Sequence, residues 1–299
     1  MNDEGRAASQ PVGVVGLGLV GRALAERLAA AGFVPCGFDI DPARRAAAEA
    51  RGLACAETLG DLARRCTIAL IVVYDGTQAA SVCTEMGKAA PRQLDMLISI
   101  TTCLPGEIEA LSRAAAEHNL DFIEMPISGT SAEIAAGTAT GLVAGSAAAL
   151  ARAEAILAAL CPRRIPVGGL GQASRMKLAI NLVLQLNRAA LAEGIAFAEA
   201  LGLEPSAFLD AAQSSAAASA VMATKGRKMV ERDFAPQSRL AQTLKDATLI
   251  LAEGHKAGLA LPLTTRGADL LRDAIARCGE NADSSAVIEA IAAPRSLPC

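Results

Sequence analysis

From Pro11 to about Gly168, short apolar runs alternate with alanine-rich stretches of helical character. Val12–Val15, Val34–Ile40, Ile68–Val73, Met96–Ile100, Phe122–Met125, Gly141–Ala144 and Ile165–Val167 read as strands, because each is short, apolar and bounded by turn formers. A first helix is predicted over Gly21–Ala31, between the first two runs. Nearly continuous hydrophobicity fits strands covered on both faces. Their alternation with helices of about 10–15 residues predicts a parallel, doubly wound sheet.

After Gly171 the strand runs stop. Residues 172–201 form one long helix candidate, closed by Gly202 and followed by Pro205. Further helical stretches are predicted at about 205–215, 216–231, 238–258, 262–278 and 284–292. Leu178, Ile180, Leu182, Val183, Leu184 and Leu186 cover more of the long helix than one packed face requires. It is therefore expected to be buried between domains or between subunits. The composition break near 168–172 marks the boundary between an α/β domain at 11–168 and an all-α domain at 169–299, joined by the long helix. Residues 1–10 are polar, lack a hydrophobic targeting core and are expected to be a flexible tail.

Composition narrows the function. The chain has 299 residues, 52% of them hydrophobic, enough for a sizeable core. A formal charge of −3 and an aromatic content of 2% argue against nucleic acid as a partner. The cysteines at 36, 55, 66, 83, 103, 161, 278 and 299 show no C-x-x-C spacing and read as scattered, reduced core thiols of a cytoplasmic protein. With only His118 and His255 present, no metal site is expected. The most apolar helix is interrupted by Asn181, Gln185, Asn187, Arg188, Glu193 and Glu199, so no membrane span is expected either.

Gly16-Leu17-Gly18-Leu19-Val20-Gly21 follows the first strand and opens the first helix. In that context the GxGxxG pattern marks a Rossmann-type dinucleotide site. Gly16 permits the tight turn, Gly18 admits the pyrophosphate and Gly21 lets the helix lie close on the strand. Asp39, 23 residues after Gly16, is placed to accept from the adenosine ribose hydroxyls, which favours NAD over NADP. Asp41 and Pro42 read as an N-cap and first helical residue. Arg44 and Arg45 then read as solvated, with Arg44 within reach of a 2′-phosphate, so NADP stays possible.

Thr101-Thr102-Cys103-Leu104-Pro105 follows another strand; its plain reading is a threonine cap before Pro105. Ser128-Gly129-Thr130, after Pro126, offers N–H groups and hydroxyls suited to a carboxylate. Gly168-Gly169-Leu170-Gly171 opens the long helix, on which Lys177 and Asn181 share one face.

The ordered set GLGxxG, Thr-Thr-x-x-Pro, Pro-x-Ser-Gly, Gly-x-Gly leading to Lys-x-x-x-Asn, and Leu244-Lys245-Asp246 resembles the β-hydroxyacid dehydrogenase family, which includes 3-hydroxyisobutyrate dehydrogenase, tartronate semialdehyde reductase and threonate dehydrogenase. The resemblance runs from about Val12 to Ile291. It implies an NAD(P)-dependent oxidoreductase acting on a small, carboxylate-bearing β-hydroxy acid or its semialdehyde. It also implies a C-terminal domain like that of 6-phosphogluconate dehydrogenase and a homodimer or homotetramer. Carried over by position, it makes Lys177 the catalytic acid/base, Asn181 and the Ser128-Gly129-Thr130 turn the substrate site, and Thr102 and Lys245 neighbours of the nicotinamide. A lysine at its ordinary pKa of about 10.4 is a poor base at neutral pH, so a buried, depressed one is expected.

The chain departs from the family where a second glycine is usual and Thr130 stands, and where an asparagine three residues after the lysine is replaced by Ile180. An imine reductase of similar architecture would usually carry Asp or Tyr in place of Lys177. A non-catalytic dinucleotide-binding scaffold would not need the lysine.

Overall fold

A computed structural model describes residues 11–292; the tail expected at 1–10 lies outside the described residues. The chain separates into two compact units, one ending at Lys177 and the other beginning at Leu178.

In the first unit, β1 (Pro11–Val15), β2 (Val34–Phe38), β3 (Ala54–Cys55), β4 (Ile68–Ile71), β5 (Met96–Ser99) and β6 (Asp121–Glu124) form parallel pairs in the order β3-β2-β1-β4-β5-β6. The alternation of side chains splits the core in two. Val14, Leu70, Ile98 and Ile123 belong to one apolar cluster, while Val15, Ile71, Leu97 and Phe122 belong to another. Both faces of the central strands are buried, as their continuous hydrophobicity requires.

The sheet is not parallel throughout. β8 (Thr140–Gly145) runs antiparallel to β6 and to the short β7 (Ile127–Ser128), then pairs in parallel with β9 (Arg163–Pro166). Pro126 interrupts the chain after β6, and Gly129 (φ +156°) and Gly137 (φ +72°) turn it back. An antiparallel return needs only a short connection, whereas a parallel one needs a full crossover. β9 also departs from expectation: it is largely exposed, with Ile165 46% accessible, and the two faces of the sheet do not cover it.

Cys36, Cys66, Cys83, Cys103 and Cys161 are buried core residues.

The helices of the first unit that matter for the site are α1 (Leu19–Ala30), α2 (Pro42–Glu49), α3 (Leu59–Arg65), α4 (Gly76–Lys88), α5 (Pro105–Glu117), α6 (Ser131–Ala136) and α7 (Ala147–Leu160). The long helix α8 (Gln172–Ala200) follows, and the division between the units falls within it. The second unit continues with α9 (Pro205–Gln213), α10 (Arg227–Glu231), α11 (Leu240–Lys256), α12 (Pro262–Cys278) and α13 (Glu289–Ala292).

The helix expected over 216–231 is broken: residues 216–219 are non-helical, and a π-helical turn, Met222–Gly226, precedes α10. Ser214 and Ser215 bond to the carbonyls of Asp210 and Ala212, and Ser215 Oγ accepts from Ala217 N, which competes with helical bonding. The stretch expected as a helix from 284 begins as a 3-10 turn, Ser284–Ile288.

One face of α8 is buried through Leu178, Leu191, Ala192, Ile195 and Ala198. Within a single chain the helix is not covered on every side, which leaves the expected burial to a partner subunit. Val183 is 55% and Phe197 64% accessible, and Met176 and Leu201 are exposed as well.

Candidate active site

The glycine loop is built as its sequence demands. Gly16 has φ +97°, and a Cβ there would lie 2.3 Å from the Val72 carbonyl oxygen. A Cβ on Gly21 would lie 1.8 Å from the Gly16 carbonyl oxygen. A Cβ on Gly18 would meet nothing within 4 Å. Two glycines are thus required by the protein's own packing, while Gly18 keeps clear the space before the α1 N-terminus. Among the described residues no side chain caps that helix end, and its first turn carries no acidic residue, so its dipole is available to an anion. These residues fit a dinucleotide pyrophosphate.

Leu17 lies in the core, and Leu19 and Val20 are half-buried at the start of α1. The Leu17 N–H donates to Asp39 Oδ2 at 2.8 Å, and the Asp41 N–H donates to Asp39 Oδ1 at 3.0 Å. Asp39 is therefore a buried brace for the glycine loop, held at the carboxyl end of β2. Arg44 and Arg45 are not simply solvated: Arg44 pairs with Asp39 at 3.4 Å, and Arg45 donates to the Asp39 carbonyl at 2.6 Å. The Asp41 carboxylate accepts from Ala43 N ahead of Pro42, as expected for that N-cap.

After β5, Thr101 Oγ1 accepts from Val73 N at 3.1 Å and donates to the Ile71 carbonyl at 3.2 Å, which ties the two strand ends together. Thr102 is half-buried beside it. The cap of α5 is not a threonine: Leu104 occupies the position, and its N–H is met by the Glu107 carboxylate at 2.7 Å. Ser128 lies in β7, with Gly129 following. Thr130 caps α6 in a capping box, with the Glu133 carboxylate accepting from both its N–H (2.7 Å) and its hydroxyl (2.8 Å). Both polar groups of Thr130 are engaged locally, which leaves Ser128 and Gly129 as the better-placed part of the predicted cradle.

Glu124, at the end of β6, receives the Gly171 N–H at 2.8 Å and the Ser174 N–H at 2.5 Å, and so caps α8 from a distant strand. Burial pushes its pKa up, and these N–H donors pull the other way.

On α8, Lys177 is buried, and Asn181, one turn later, is 4% accessible. Asn181 Nδ2 donates to Asp246 Oδ2 at 2.9 Å, and Lys245 Nζ lies 2.9 Å from Asp246 Oδ1. Asn181 Oδ1 is buried and has no hydrogen-bond partner among the described residues. The structure thus gathers Gly16–Gly21 with Asp39 in the first unit, and Asn181 with Lys245 in the second. Asp246 was not singled out as a site residue from sequence. The signal was present: Leu240, Thr243, Ala247, Ile250 and Gly254 trace the buried face of α11, and Asp246 lies on it as an acid among them.

The family model describing the NAD-binding domain of 6-phosphogluconate dehydrogenase matches residues 11–169, and that describing the NAD-binding region of NADP-dependent 3-hydroxyisobutyrate dehydrogenase matches residues 171–291. L-threonate dehydrogenase of Cupriavidus necator is 30% identical over 94% of this chain and 96% of its own. The chain belongs to the β-hydroxyacid dehydrogenase family.

Another relative, 2-hydroxy-3-oxopropionate reductase of Escherichia coli, is 27% identical over 94% of this chain and 96% of its own. The crystal structure of a 3-hydroxyisobutyrate dehydrogenase from Salmonella typhimurium superposes with a TM-score of 0.83 at 24% identity, covering 94% of this chain and 99% of that one, and shows the shared fold. As a β-hydroxyacid dehydrogenase, the protein is an NAD(P)-dependent oxidoreductase acting on CH–OH groups. Among the described residues, no helix is long and apolar enough to cross a membrane, and no group of three or more His, Cys, Asp or Glu is placed to hold a metal ion.

Proposed function

We propose that the protein interconverts a small carboxylate-bearing β-hydroxy acid and its semialdehyde, with Lys177 as acid/base. The observation that carries this reading is a buried lysine one helical turn from a buried asparagine whose amide oxygen has no partner among the described residues. A bound nicotinamide cofactor supplies the hydride acceptor for oxidation and the donor for reduction. Lys177 Nζ takes the hydroxyl proton as the alcohol is oxidised and returns it to the carbonyl oxygen in the reverse direction. Ser128 and Gly129 bind the carboxylate, Asn181 holds the reacting end, and Thr102 and Lys245 lie toward the nicotinamide. Gly16–Gly21 and Asp39 hold the adenosine diphosphate half, with NAD preferred. Residues 11–168 make the cofactor domain and 169–299 the substrate and assembly domain of a cytoplasmic enzyme.

Two copies pair through α8. Met176, Ile180 and Val183 follow at spacings of four and three, and Phe197 and Leu201, four apart, lie on the same side of the helix two heptads beyond Val183, leaving apolar residues on its outer face.

The test of function is a turnover screen over 3-hydroxyisobutyrate, serine, glycerate, threonate and 4-hydroxybutyrate, run beside a cofactor-fluorescence titration. One acid is expected to be oxidised well. Lys177→Ala is expected to keep cofactor affinity within a few-fold while turnover falls by about a hundredfold or more. Near-normal turnover by that variant would sink the mechanism, and cofactor binding with no turnover of any acid would leave a binding scaffold instead.

A further inference from the structure

Within the second unit a small cavity lies between α8, α11 and α12, lined by Gln185, Leu186, Arg188, Thr243, Thr264 and Gly267 among others. Its volume is about 10 Å³, room for a single particle the size of a water molecule. Cavities that stay empty in protein cores are apolar. This one is not. Arg188, 6% accessible, lines it, and among the described residues no hydrogen bond or ion pair reaches the guanidinium. Its Nε is fully buried and unpartnered. The hydroxyl of Thr264, 4% accessible, likewise makes no hydrogen bond among the described residues. Burial pushes the pKa of Arg188 down to about 10, which still leaves it charged at neutral pH.

No counter-ion within the unit is free to answer that charge. Asp246 lies 2.9 Å from Lys245 and Asp283 lies 2.8 Å from Lys225, so each carboxylate has a cation of its own. Three cations therefore stand against two carboxylates. A buried ion left without a partner is strongly disfavoured. A single water could accept one N–H from Arg188, but its dipole would not cancel the charge. Gly267 points to an occupant as well. It stands inside α12, where glycine weakens a helix relative to alanine. A Cβ there would meet one atom within 4 Å, Leu186 Cδ2 at 3.9 Å. The protein's own packing would accept that methyl group, whereas a particle in the cavity would lose its room.

We propose that this cavity is a binding site for a monatomic anion such as chloride, held by the Arg188 guanidinium and the Thr264 hydroxyl. One-particle size excludes phosphate, sulfate and carboxylates, and the charge to be balanced excludes a cation. The anion joins α8 to α12 two helical turns beyond Asn181, so its occupancy stabilises the helical unit. The site takes no part in the proposed reaction and stands whether or not that reaction is the right one.

The test follows thermal unfolding of the full chain as chloride replaces gluconate at constant ionic strength, in wild type, Arg188→Met and Gly267→Ala. Crystals grown in bromide are measured at the bromine absorption edge. In wild type, Tm is expected to rise by about 3 °C as chloride reaches roughly ten times its dissociation constant. An anomalous bromide peak is expected in the cavity, beside Arg188 and Thr264. Both variants should lose the chloride response, and Gly267→Ala should lose the peak. Without chloride, both should melt no lower than wild type, because one removes a lone buried charge and the other improves a helix. A wild-type cavity without a bromide peak would hold only water and would overturn the proposal. An equal rise of Tm in all three proteins would overturn it too, since the anion would then act on the surface at large. Should Arg188→Met fail to fold, the bromide map and Gly267→Ala still decide the matter.

Discussion

Asp39 carries two duties at once. It braces the glycine loop through Leu17 and Asp41, and in the proposed function it sets the charge that an adenosine ribose would meet. A 2′-phosphate at that edge would be repelled by about 1–4 kcal/mol in a high-dielectric surface setting. Arg44, 3.4 Å away, offsets part of this. Asp39→Ser should therefore weaken binding of both cofactors, because the loop loses its brace, but should weaken NADH more. In fluorescence titrations the ratio of NADPH to NADH dissociation constants is expected to fall about tenfold, equivalent to about 1.4 kcal/mol. Should wild type bind NADPH much more tightly, Arg44 and Arg45 govern the choice and Asp39 serves only the loop.

At the scale of elements, the capping of α8 by Glu124 couples strand β6 to the start of the helix that carries Lys177. Its pKa is raised, chiefly by burial, so the folded protein holds the proton more tightly than the unfolded chain does. The group's stabilising contribution is thus fully present below the ordinary glutamate range and is lost as pH rises through the raised value. Glu124→Gln cannot titrate. The stability of wild type relative to that variant, from urea unfolding between about pH 4 and pH 7, should decline as pH rises. A difference that grows with pH would mean that the Gly171 and Ser174 N–H bonds outweigh desolvation. Sequence showed much at this scale, because periodicity carries it: β1, β2, β4, β5, β6, β8 and α12 lie where the apolar runs put them, while the two-residue strands β3 and β7 were too short to read. The antiparallel return of β8 was hidden, since strand direction depends on connection geometry and not on composition. The Glu124 cap was hidden too, because it joins residues 47 and 50 positions apart. The candidate site was legible in its glycines, Asp39, Lys177 and Asn181. Asp246 was not read as the partner of Asn181 and Lys245, because a charge on a buried face gains meaning only when its opposite is in place.

For the whole molecule, the outstanding surface feature is the apolar stripe along α8. Met176, Val183, Phe197 and Leu201 are all exposed in the single chain, on one side of the helix and toward its two ends. A two-fold pairing would cover the same stripe on both copies. Sedimentation at micromolar concentration should show a dimer or larger species, and Phe197→Glu with Val183→Glu should yield a monomer with retained helix content. A monomeric wild type with full activity would remove the assembly.

The three glycines of the nucleotide loop answer to different pressures. At Gly16 and Gly21 a methyl group collides with the protein's own backbone, whereas at Gly18 it projects into open space. Library selection for solubility or heat resistance would purge changes at the first two and pass alanine at the third. An enzyme engineered only for robustness would accumulate silent casualties at Gly18, well-behaved in every handling assay and unable to take up its coenzyme.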